Sequence, residues 1–184
     1  LVTSNAWPVY NESIDYYAAI DVGRNNDFTV LTIIGEDGRI YEILRINKKE
    51  WETIAREVAG VVNKYKPRTT LVEVNGVGDV FFELLKKHID RLTPWTTTNE
   101  TKQQIIEELI LEFQNQTIRI PGKNIFEYLE LELQDFTFTY SPQTRKICYK
   151  ARTDHDDCVM SLAMANHAKK TRMGSYLRIE IMDI

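Results

Sequence analysis

The sequence predicts an α/β fold in which helices flank a mixed β-sheet. Three observations predict it: strand-length apolar runs joined by short turns open the chain, amphipathic helical segments then alternate with further short strands, and an apolar helix lies near the end. The chain has 184 residues, of which 43% are hydrophobic and 27% are charged. Because this size and composition are those of a globular domain with a single sizeable core, we expect residues 1–184 to form one domain.

The first part of the predicted sheet is a meander of three antiparallel strands. After a lead-in over residues 1–15 that looks irregular, apolar or alternating runs at 16–22, 28–34 and 39–46 predict strands. Residues 35–38 (Gly-Glu-Asp-Gly) form a hairpin-type turn between the second and third strands. Short connections of this kind join antiparallel neighbours.

Helical spacing begins at residue 48. Apolar residues recur at intervals of three and four through 48–65, which predicts an amphipathic helix that Pro67 ends. Strand 69–74 follows, and because a crossover helix precedes it, we expect it to run parallel to a strand already in the sheet. A second helix over 80–88 and a short strand over 91–95 complete this part of the chain.

The last part of the chain adds helices, a hairpin and a tail. The predicted elements are a polar loop at 96–100, helix 102–114, an extended piece at 117–120, helix 125–133, a hairpin over 135–149 and helix 155–170. Thr153 or Asp154 is the expected N-cap of the final helix, and Gly174 is expected to end it. The tail 175–184 carries no assignment.

Acidic side chains mark three points of this fold. Asp21 and Glu73 each lie at the end of a predicted strand, and residues 154–157 (Asp-His-Asp-Asp) open the final helix. If the two strands pair, Asp21 and Glu73 are neighbours about 5 Å apart. Two carboxylates that close repel unless a cation shares them, and Mg²⁺ or Mn²⁺ prefers such hard oxygen ligands. With Asp156 or Asp157 as a third acid, the pattern predicts a site for two ions about 4 Å apart.

Most of these acids also have a purely structural interpretation. Asp21 precedes Gly23 and suits a turn, whereas the acids of 154–157 suit helix capping and the positive helix N-terminus. Glu73 has no capping role inside a Val-rich strand, and a buried carboxylate without a cation or partner is costly. Taken together, the acids favour a metal site.

Three segments of the chain resemble the signature blocks of the nuclease domain of phage terminase large subunits. They are 21–27 (DVGRNND), 71–78 (LVEVNGVG) and 155–163 (HDDCVMSLA), and 96–102 (TTTNETK) resembles the middle segment of the family. The resemblance covers most of residues 16–170 in order and spacing. It implies a ribonuclease H-like fold and a metal-dependent endonuclease that cuts double-stranded viral DNA during genome packaging.

The same resemblance implies roles for individual residues. Asp21, Glu73 and Asp157 match the catalytic, metal-binding triad, with Asp21 bridging two Mg²⁺ or Mn²⁺ ions. Asp156 is implied as a further ligand or as a hydrogen-bonding neighbour, and which of Asp156 and Asp157 faces the metal stays open. Asp27 is a secondary acid in a supporting role.

Basic residues provide candidates for contacts to DNA. Residues 143–152, in and after the second arm of the predicted hairpin, lack acids and carry four cations, Arg145, Lys146, Lys150 and Arg152. The alternative is a solvated hairpin edge protected by charge. Lys102, at a loop-to-helix junction, is a further candidate for contacting a phosphate. His155 is a candidate for orienting a water or the scissile phosphate, or for capping the final helix.

Charge and cysteine usage limit the classes of partner and compartment. A net charge of −4 argues against nucleic-acid binding by the whole surface but leaves room for a local basic patch. No apolar run approaches the ~20 residues of a membrane span, so no membrane contact is expected. Cys148 and Cys158 form no metal-type pair and suit free thiols in a reducing compartment, which for a viral protein is the host cytoplasm.

Full-length proteins of the resembled family carry an ATPase motor before the nuclease. No G-x-x-x-x-G-K-[S/T] phosphate loop occurs in this chain, and its first residue is Leu1 rather than Met. We therefore expect an isolated C-terminal nuclease domain. The resemblance implies double-stranded DNA, the N-terminal motor, the portal and the small terminase subunit as partners.

Three other functions fit parts of the sequence. A junction resolvase or transposase shares the ribonuclease H-like fold and prefers branched or end-specific DNA. Residues 19–23 (AIDVG) also resemble the phosphate loop of actin-like ATPases and sugar kinases, which need a second, duplicated domain that a chain of this length lacks. A catalytically silent DNA-binding or docking module would retain DNA independently of metal and of Asp21.

Overall fold

The computed structural model describes residues 2–23, 27–141, 146–152 and 155–182, with the backbone alone at 141, 146 and 173–182. Within these residues the strands are β1 (Val2–Ser4), β2 (Tyr16–Asp21), β3 (Thr29–Gly35), β4 (Ile40–Ile46), β5 (Thr69–Glu73), β6 (Thr93–Trp95), β7 (Arg119–Pro121), β8 (Phe136–Ser141) and β9 (Lys146–Ala151). The helices are α1 (Trp51–Tyr65), α2 (Gly78–Leu85), α3 (Asn99–Gln114), α4 (Glu127–Asp135) and α5 (Asp157–Met182).

The central sheet has five strands in the order β4-β3-β2-β5-β6. β2, β3 and β4 are antiparallel, whereas β5 runs parallel to β2 and β6 runs parallel to β5. The predicted meander and the predicted parallel strand after the crossover helix are both confirmed. All six residues of β2 are buried, as expected for an apolar central strand covered on both faces.

Helices cover the two faces of this sheet. α5 and α3 pack on the face that carries Ala19 and Leu71, and α1 and α2 pack on the face that carries Ala18 and Ile20. Successive strand residues point to opposite faces, so the continuous apolar run of β2 contributes to both cores.

One buried polar contact ties α5 to the sheet. The hydroxyl of Ser161 makes hydrogen bonds with the carbonyl oxygen of Ala19 (3.0 Å) and the hydroxyl of Thr32 (2.9 Å). All three residues are fully buried, and burial without a partner would cost each polar group free energy. The contact therefore favours a single placement of α5 across β2 and β3.

Two predictions near the termini are wrong in part. The lead-in is not irregular throughout, because β1 pairs in parallel with β7, more than a hundred residues away in sequence. A three-residue strand has no periodic pattern of its own. The final helix does not end at Gly174, since α5 continues to Met182. A glycine inside a helix costs only about 1 kcal/mol relative to alanine, and no proline follows it here.

Helix α3 begins three residues before the predicted start. Thr98 caps it by accepting a hydrogen bond from the backbone N–H of Thr101 (3.2 Å), and Thr101 returns the contact to the N–H of Thr98 (2.8 Å). This reciprocal capping extends the helix into the predicted polar loop. The predicted cap of α5 by Thr153 or Asp154 lies outside the described residues. None of the described helices combines the length and the apolarity needed to cross a membrane.

Candidate metal centre

Two neighbouring parallel strands end in carboxylates at one edge of the sheet. The register pairs Ile20 of β2 with Val72 of β5, so the next residues, Asp21 and Glu73, lie side by side. Gly78 lets α2 begin directly behind them, because a Cβ at this position would collide with the carbonyl oxygen of Glu73. Ligands in α/β sheets bind outside the carboxyl ends of such strands.

The Asp21 carboxyl is buried, with 8% of the residue exposed. Burial is the largest cause of a pKa well above the usual range for this side chain. A hydrogen bond to the Glu73 side chain and the negative charges of Glu73, Asp157 and Asp156 raise the pKa further. A raised pKa favours the protonated form of Asp21, which lowers the repulsion between this carboxyl and its acidic neighbours.

A third carboxylate comes from the start of α5. Burial raises the pKa of Asp157 to about 6, and the charges of Glu132 and Asp156 add to the shift. The Oδ2 atom of Asp157 is buried and has no hydrogen-bond partner among the described residues, although the Nδ1 atom of His155 lies 3.6 Å away. A buried carboxylate oxygen without a partner is costly, and a bound cation would satisfy it.

These acids line one cleft of about 270 Å³. Its lining residues are Asp21, Val22, Gly23, Asp27, Glu73, Asn75, Thr97, Lys102, Asp156, Asp157 and Met160. Gly23 brings Asp27 back to the cleft, since a Cβ on Gly23 would lie 2.7 Å from the Asp27 carbonyl oxygen and carbon. Five carboxylates in so small a space strongly favour a cation.

Lys102 and two polar residues organise the opposite wall of the cleft. The Nζ atom of Lys102 lies 2.7 Å from the Oδ2 atom of Asp156. The Asn75 side chain donates to the Thr97 carbonyl oxygen and accepts from the Thr97 N–H, both at 2.8 Å. This pair of hydrogen bonds joins the loop after β5 to the loop before α3, and so holds Lys102 beside the acids.

The donor set fits a hard divalent cation. Carboxylate and amide oxygens are the ligands that Mg²⁺ and Mn²⁺ prefer. Across the described residues, no three Asp, Glu, His or Cys side chains are already arranged around a single point as a closed metal site. In this arrangement the Asp21 carboxyl interacts with that of Glu73, which adds to its raised pKa. The unpartnered Oδ2 atom of Asp157 supports the fit.

The structure brings most of the sequence-predicted site residues together. Those that line the cleft are Asp21, Asp27, Glu73, Lys102, Asp156 and Asp157. His155 lies beside it and packs edge-on against Phe28. Lys150 and Arg152 are exposed on and just after β9, outside the cleft lining. Arg145 lies outside the described residues, and Lys146 is described only by its backbone.

Glu132 and Arg45 are the residues of this region that the sequence patterns missed. Glu132 is 6% exposed and accepts hydrogen bonds from the backbone N–H groups of Cys158 (2.7 Å) and Val159 (3.3 Å). The Nη2 atom of Arg45 lies 3.8 Å from Glu132 Oε1. In the sequence Glu132 is one of several acids on an acidic helix, and no local pattern distinguishes it from its exposed neighbours.

Several solved structures that superpose on this chain are nuclease domains of large terminases. The large terminase nuclease of thermophilic phage G20c superposes with a TM-score of 0.77 at 23% identity, covering 90% of this chain and 91% of that one. Its magnesium-bound form gives a TM-score of 0.78 at 22% identity, covering 91% and 92%. The nuclease domain of the large terminase subunit gp2 of bacterial virus Sf6 gives 0.71 at 10% identity, covering 83% and 88%. The chain thus shares its fold with these nuclease domains.

Sequence relatives point the same way. The terminase large subunits of Thermus virus P23-45 and Thermus phage G20c are each 27% identical over 153 residues, which is 82% of this chain and 31% of each relative. The chain therefore spans about a third of the length of these relatives. Residues 18–169 match the family described as the terminase RNaseH-like domain, and the chain belongs to this family.

Proposed function

We propose that this chain is a divalent-metal-dependent endonuclease that cuts double-stranded viral DNA during genome packaging. The observation that carries the proposal is the carboxyl pair of the buried Asp21 and the half-buried Glu73, which lies at the ends of adjacent parallel strands beside Asp157. Three carboxylates concentrated at a cleft suit metal-assisted hydrolysis of a phosphodiester. The crystal forms of the phage G20c nuclease with magnesium, cobalt and zinc support a divalent ion as the cofactor.

Asp21, Glu73 and Asp157 would hold two Mg²⁺ or Mn²⁺ ions, with Asp21 between them. When bound, such a pair of ions activates a water as nucleophile and stabilises the leaving 3′-oxygen. Asp21 suits the central position because it is the most buried of the three and faces both partners. The rigid placement of β2 inside the sheet leaves its carboxyl little freedom to move.

Lys102 and Asp156 would act together on the substrate side of the cleft. Because Asp156 is paired with Lys102, we assign it as a neighbour of the metal ligands that would become a further ligand only if this ion pair opened. An ammonium group at the mouth of an acidic cleft reduces the repulsion that a DNA strand would meet there. Asp27 lies exposed at the same cleft and would support the site through its charge.

The DNA would extend from the cleft toward the β8–β9 hairpin. Lys150 and Arg152 are exposed on and after its second arm, and Arg145 and Lys146 precede them in sequence. Backbone phosphates are the natural partners of such a group of cations. The overall charge of −4 makes a local path of this kind necessary.

The lengths of its relatives support a place for this nuclease in a larger protein. It matches 31% of the length of two terminase large subunits, so we propose that it works with an N-terminal ATPase motor, and with the portal and the small terminase subunit, in the host cytoplasm. Residues 1–184 would form one nuclease domain in that assembly.

The proposal is tested with supercoiled plasmid DNA. The wild-type chain is incubated with Mn²⁺ or Mg²⁺, with and without a chelator, beside Asp21→Asn and the exposed control Asp90→Asn. We expect metal-dependent nicking and linearisation by the wild type and by Asp90→Asn, and none by Asp21→Asn. Metal-independent DNA retention without nicking, equal in wild type and Asp21→Asn, would instead identify a silent binding module.

A further inference from the structure

The N-terminus of α5 is capped from another helix. The Oε2 atom of Glu132, on α4, accepts from the backbone N–H groups of Cys158 (2.7 Å) and Val159 (3.3 Å). The first N–H groups of a helix have no partner within the helix, and a carboxylate there also complements the helix dipole. Glu132 thus satisfies two of the first N–H groups of α5 from outside the helix.

Arg45 lies beside the other oxygen of this carboxylate. Its Nη2 atom lies 3.8 Å from Glu132 Oε1, and the two side chains are 10% and 7% exposed. The guanidinium lies over two aromatic rings, with its central carbon 3.2 Å from the Phe28 centroid and 4.4 Å from the Tyr128 centroid. A planar cation against two rings has little freedom to rotate, so Arg45 keeps a positive charge beside Glu132, although Oε1 has no hydrogen-bond partner among the described residues.

The capped turn is the one that carries Asp157. Asp157 immediately precedes Cys158. After burial, the charge of Glu132 is the largest cause of the raised pKa of Asp157. The Oδ2 atom of Asp157 has no hydrogen-bond partner among the described residues, and the His155 Nδ1 atom, 3.6 Å away, is beyond hydrogen-bond distance. The direction of the Asp157 carboxylate therefore depends on how its helical turn is held.

We propose that Glu132 is the positioning residue of the metal site, acting through the first turn of α5 to aim Asp157 into the cleft. The inference rests on the proposed function, because it assigns Asp157 a cation to bind. Groups that orient a metal ligand commonly account for 10- to 100-fold in metal affinity. The length of the Glu132 side chain, which sets the reach of its carboxylate to the two N–H groups, is the property that matters here.

Four variants distinguish the position of the Glu132 carboxylate from its charge and from a general loss of protein stability. Glu132→Ala removes the cap, Glu132→Asp keeps the charge but shortens the reach, and Glu132→Gln keeps the reach but removes the charge. The matched control is Glu112→Ala, because Glu112 on α3 pairs with Lys169 (3.6 Å) and Lys170 (3.3 Å) of α5 far along the helix from Asp157. Mn²⁺ binding to each folded protein is measured by isothermal titration calorimetry, and folding by thermal melts without metal.

We expect Glu132→Ala and Glu132→Asp to weaken Mn²⁺ binding by about 10-fold or more. Glu132→Gln should stay closer to the wild type than Glu132→Asp, and Glu112→Ala should bind Mn²⁺ as the wild type does. If Glu132→Ala does not fold, the order of the Gln and Asp variants still decides the question.

Three results would overturn the inference. They are wild-type affinity in Glu132→Asp, a greater loss in Glu132→Gln than in Glu132→Asp, and an equal loss in Glu112→Ala. Wild-type affinity in Glu132→Asp would mean that the cap does not affect metal binding. A greater loss in Glu132→Gln would mean that the charge of Glu132 matters more than the position of its carboxylate. An equal loss in Glu112→Ala would mean that any weakening of α5 has the same effect. Failure of the proposed function gives a different result, in which the wild type itself binds no Mn²⁺ and cuts no plasmid.

Discussion

The ammonium of Lys102 lies 2.7 Å from a carboxylate oxygen of Asp156, inside the cleft that also holds Asp21 and Glu73. The two side chains are 22% and 27% exposed, so the pair is partly shielded from water. Lys102 stands in the first turn of α3, where the helix dipole disfavours a cation. A lysine in this position is therefore explained by the acids it faces and by the phosphate expected to enter.

Lys102→Met should raise KM for DNA by a larger factor than it lowers kcat. The substitution keeps most of the apolar stem and removes the ammonium, so a phosphate in the cleft loses a charge-assisted hydrogen bond. Such bonds contribute about 1.5–3 kcal/mol, which predicts a rise in KM for an oligonucleotide duplex of about tenfold or more. Steady-state cleavage at saturating Mn²⁺ measures KM and kcat separately. Lys123→Met, at an exposed site, serves as the control, and equal kinetics in the two variants would remove Lys102 from substrate binding.

Asp21→Asn should raise the stability of the metal-free protein while it removes cleavage. The buried Asp21 carboxyl lies against Glu73 and near Asp157, and an amide keeps the hydrogen bond without the charge. At pH 8 the wild type must either bear this charge repulsion or hold a proton on Asp21, and the neutral amide avoids both costs. The gain is on the order of 1 kcal/mol, which for a chain of this size is a rise in Tm of about 2–4 °C. Thermal melts at pH 8 with chelator measure it.

The same variant should also lose the stabilisation that Mn²⁺ gives to the wild type, since a bound ligand stabilises only the state that binds it. A lower Tm for Asp21→Asn than for the wild type in chelator would contradict the assignment of repulsion to this site.

The metal-free protein should lose stability as the pH rises through the titration range of its cleft acids. The Asp157 pKa is raised from an ordinary value near 3.8 to about 6, and that of Asp21 is raised as well. Between the unfolded and folded pKa values the native state binds more protons than the unfolded state, so the free energy of unfolding falls with increasing pH. The contribution of Asp157 to the free energy of unfolding is fully present below about pH 4 and is lost by about pH 6 and above.

Urea unfolding at several pH values between 4.5 and 7.5, with chelator and with saturating Mg²⁺, measures this effect. Mg²⁺ should reduce the loss, because it binds the deprotonated carboxylates. Asp157→Asn should show a smaller decrease in chelator than the wild type, since it lacks one of the titrating groups. The interpretation would be wrong if wild type and Asp157→Asn had the same pH dependence.

Much of the fold was predictable because its signals are local or periodic. The buried run of β2, the helical spacing of α1 and the turn at 35–38 each identify their element, and the crossover helix requires β5 to lie parallel. The pairing of β1 with β7 and the capping of α5 by Glu132 were not predictable in this way. Both depend on contacts between residues far apart in sequence, about which the local pattern carries no information.

The candidate site also contains contacts that local sequence patterns predict and contacts that they do not. Asp21 and Glu73 could be predicted to meet, because strand ends converge at one edge of a parallel pair. The pairing of Asp156 with Lys102 could not, since it depends on how the loop before α3 is held. Two hydrogen bonds between Asn75 and Thr97 hold that loop, and neither residue has a pattern that indicates this contact.

Asn75→Ala should therefore reduce both stability and cleavage. It removes two hydrogen bonds of 2.8 Å each, and at about 1 kcal/mol per bond the free energy of unfolding should fall by roughly 2 kcal/mol. Because the loop before α3 then loses its hydrogen bonds to the end of β5, Lys102 should move away from Asp156. KM for DNA should therefore rise as in Lys102→Met. Asn63→Ala, which removes a single 3.2 Å hydrogen bond on the exposed surface of α1, is the control for stability.

A double-mutant cycle decides whether Asn75 acts through Lys102. If it does, the effects of Asn75→Ala and Lys102→Met on KM are less than additive, because the second substitution removes a contact already lost. Fully additive effects would mean that Asn75 influences cleavage by another route, such as its own contact with the cleft.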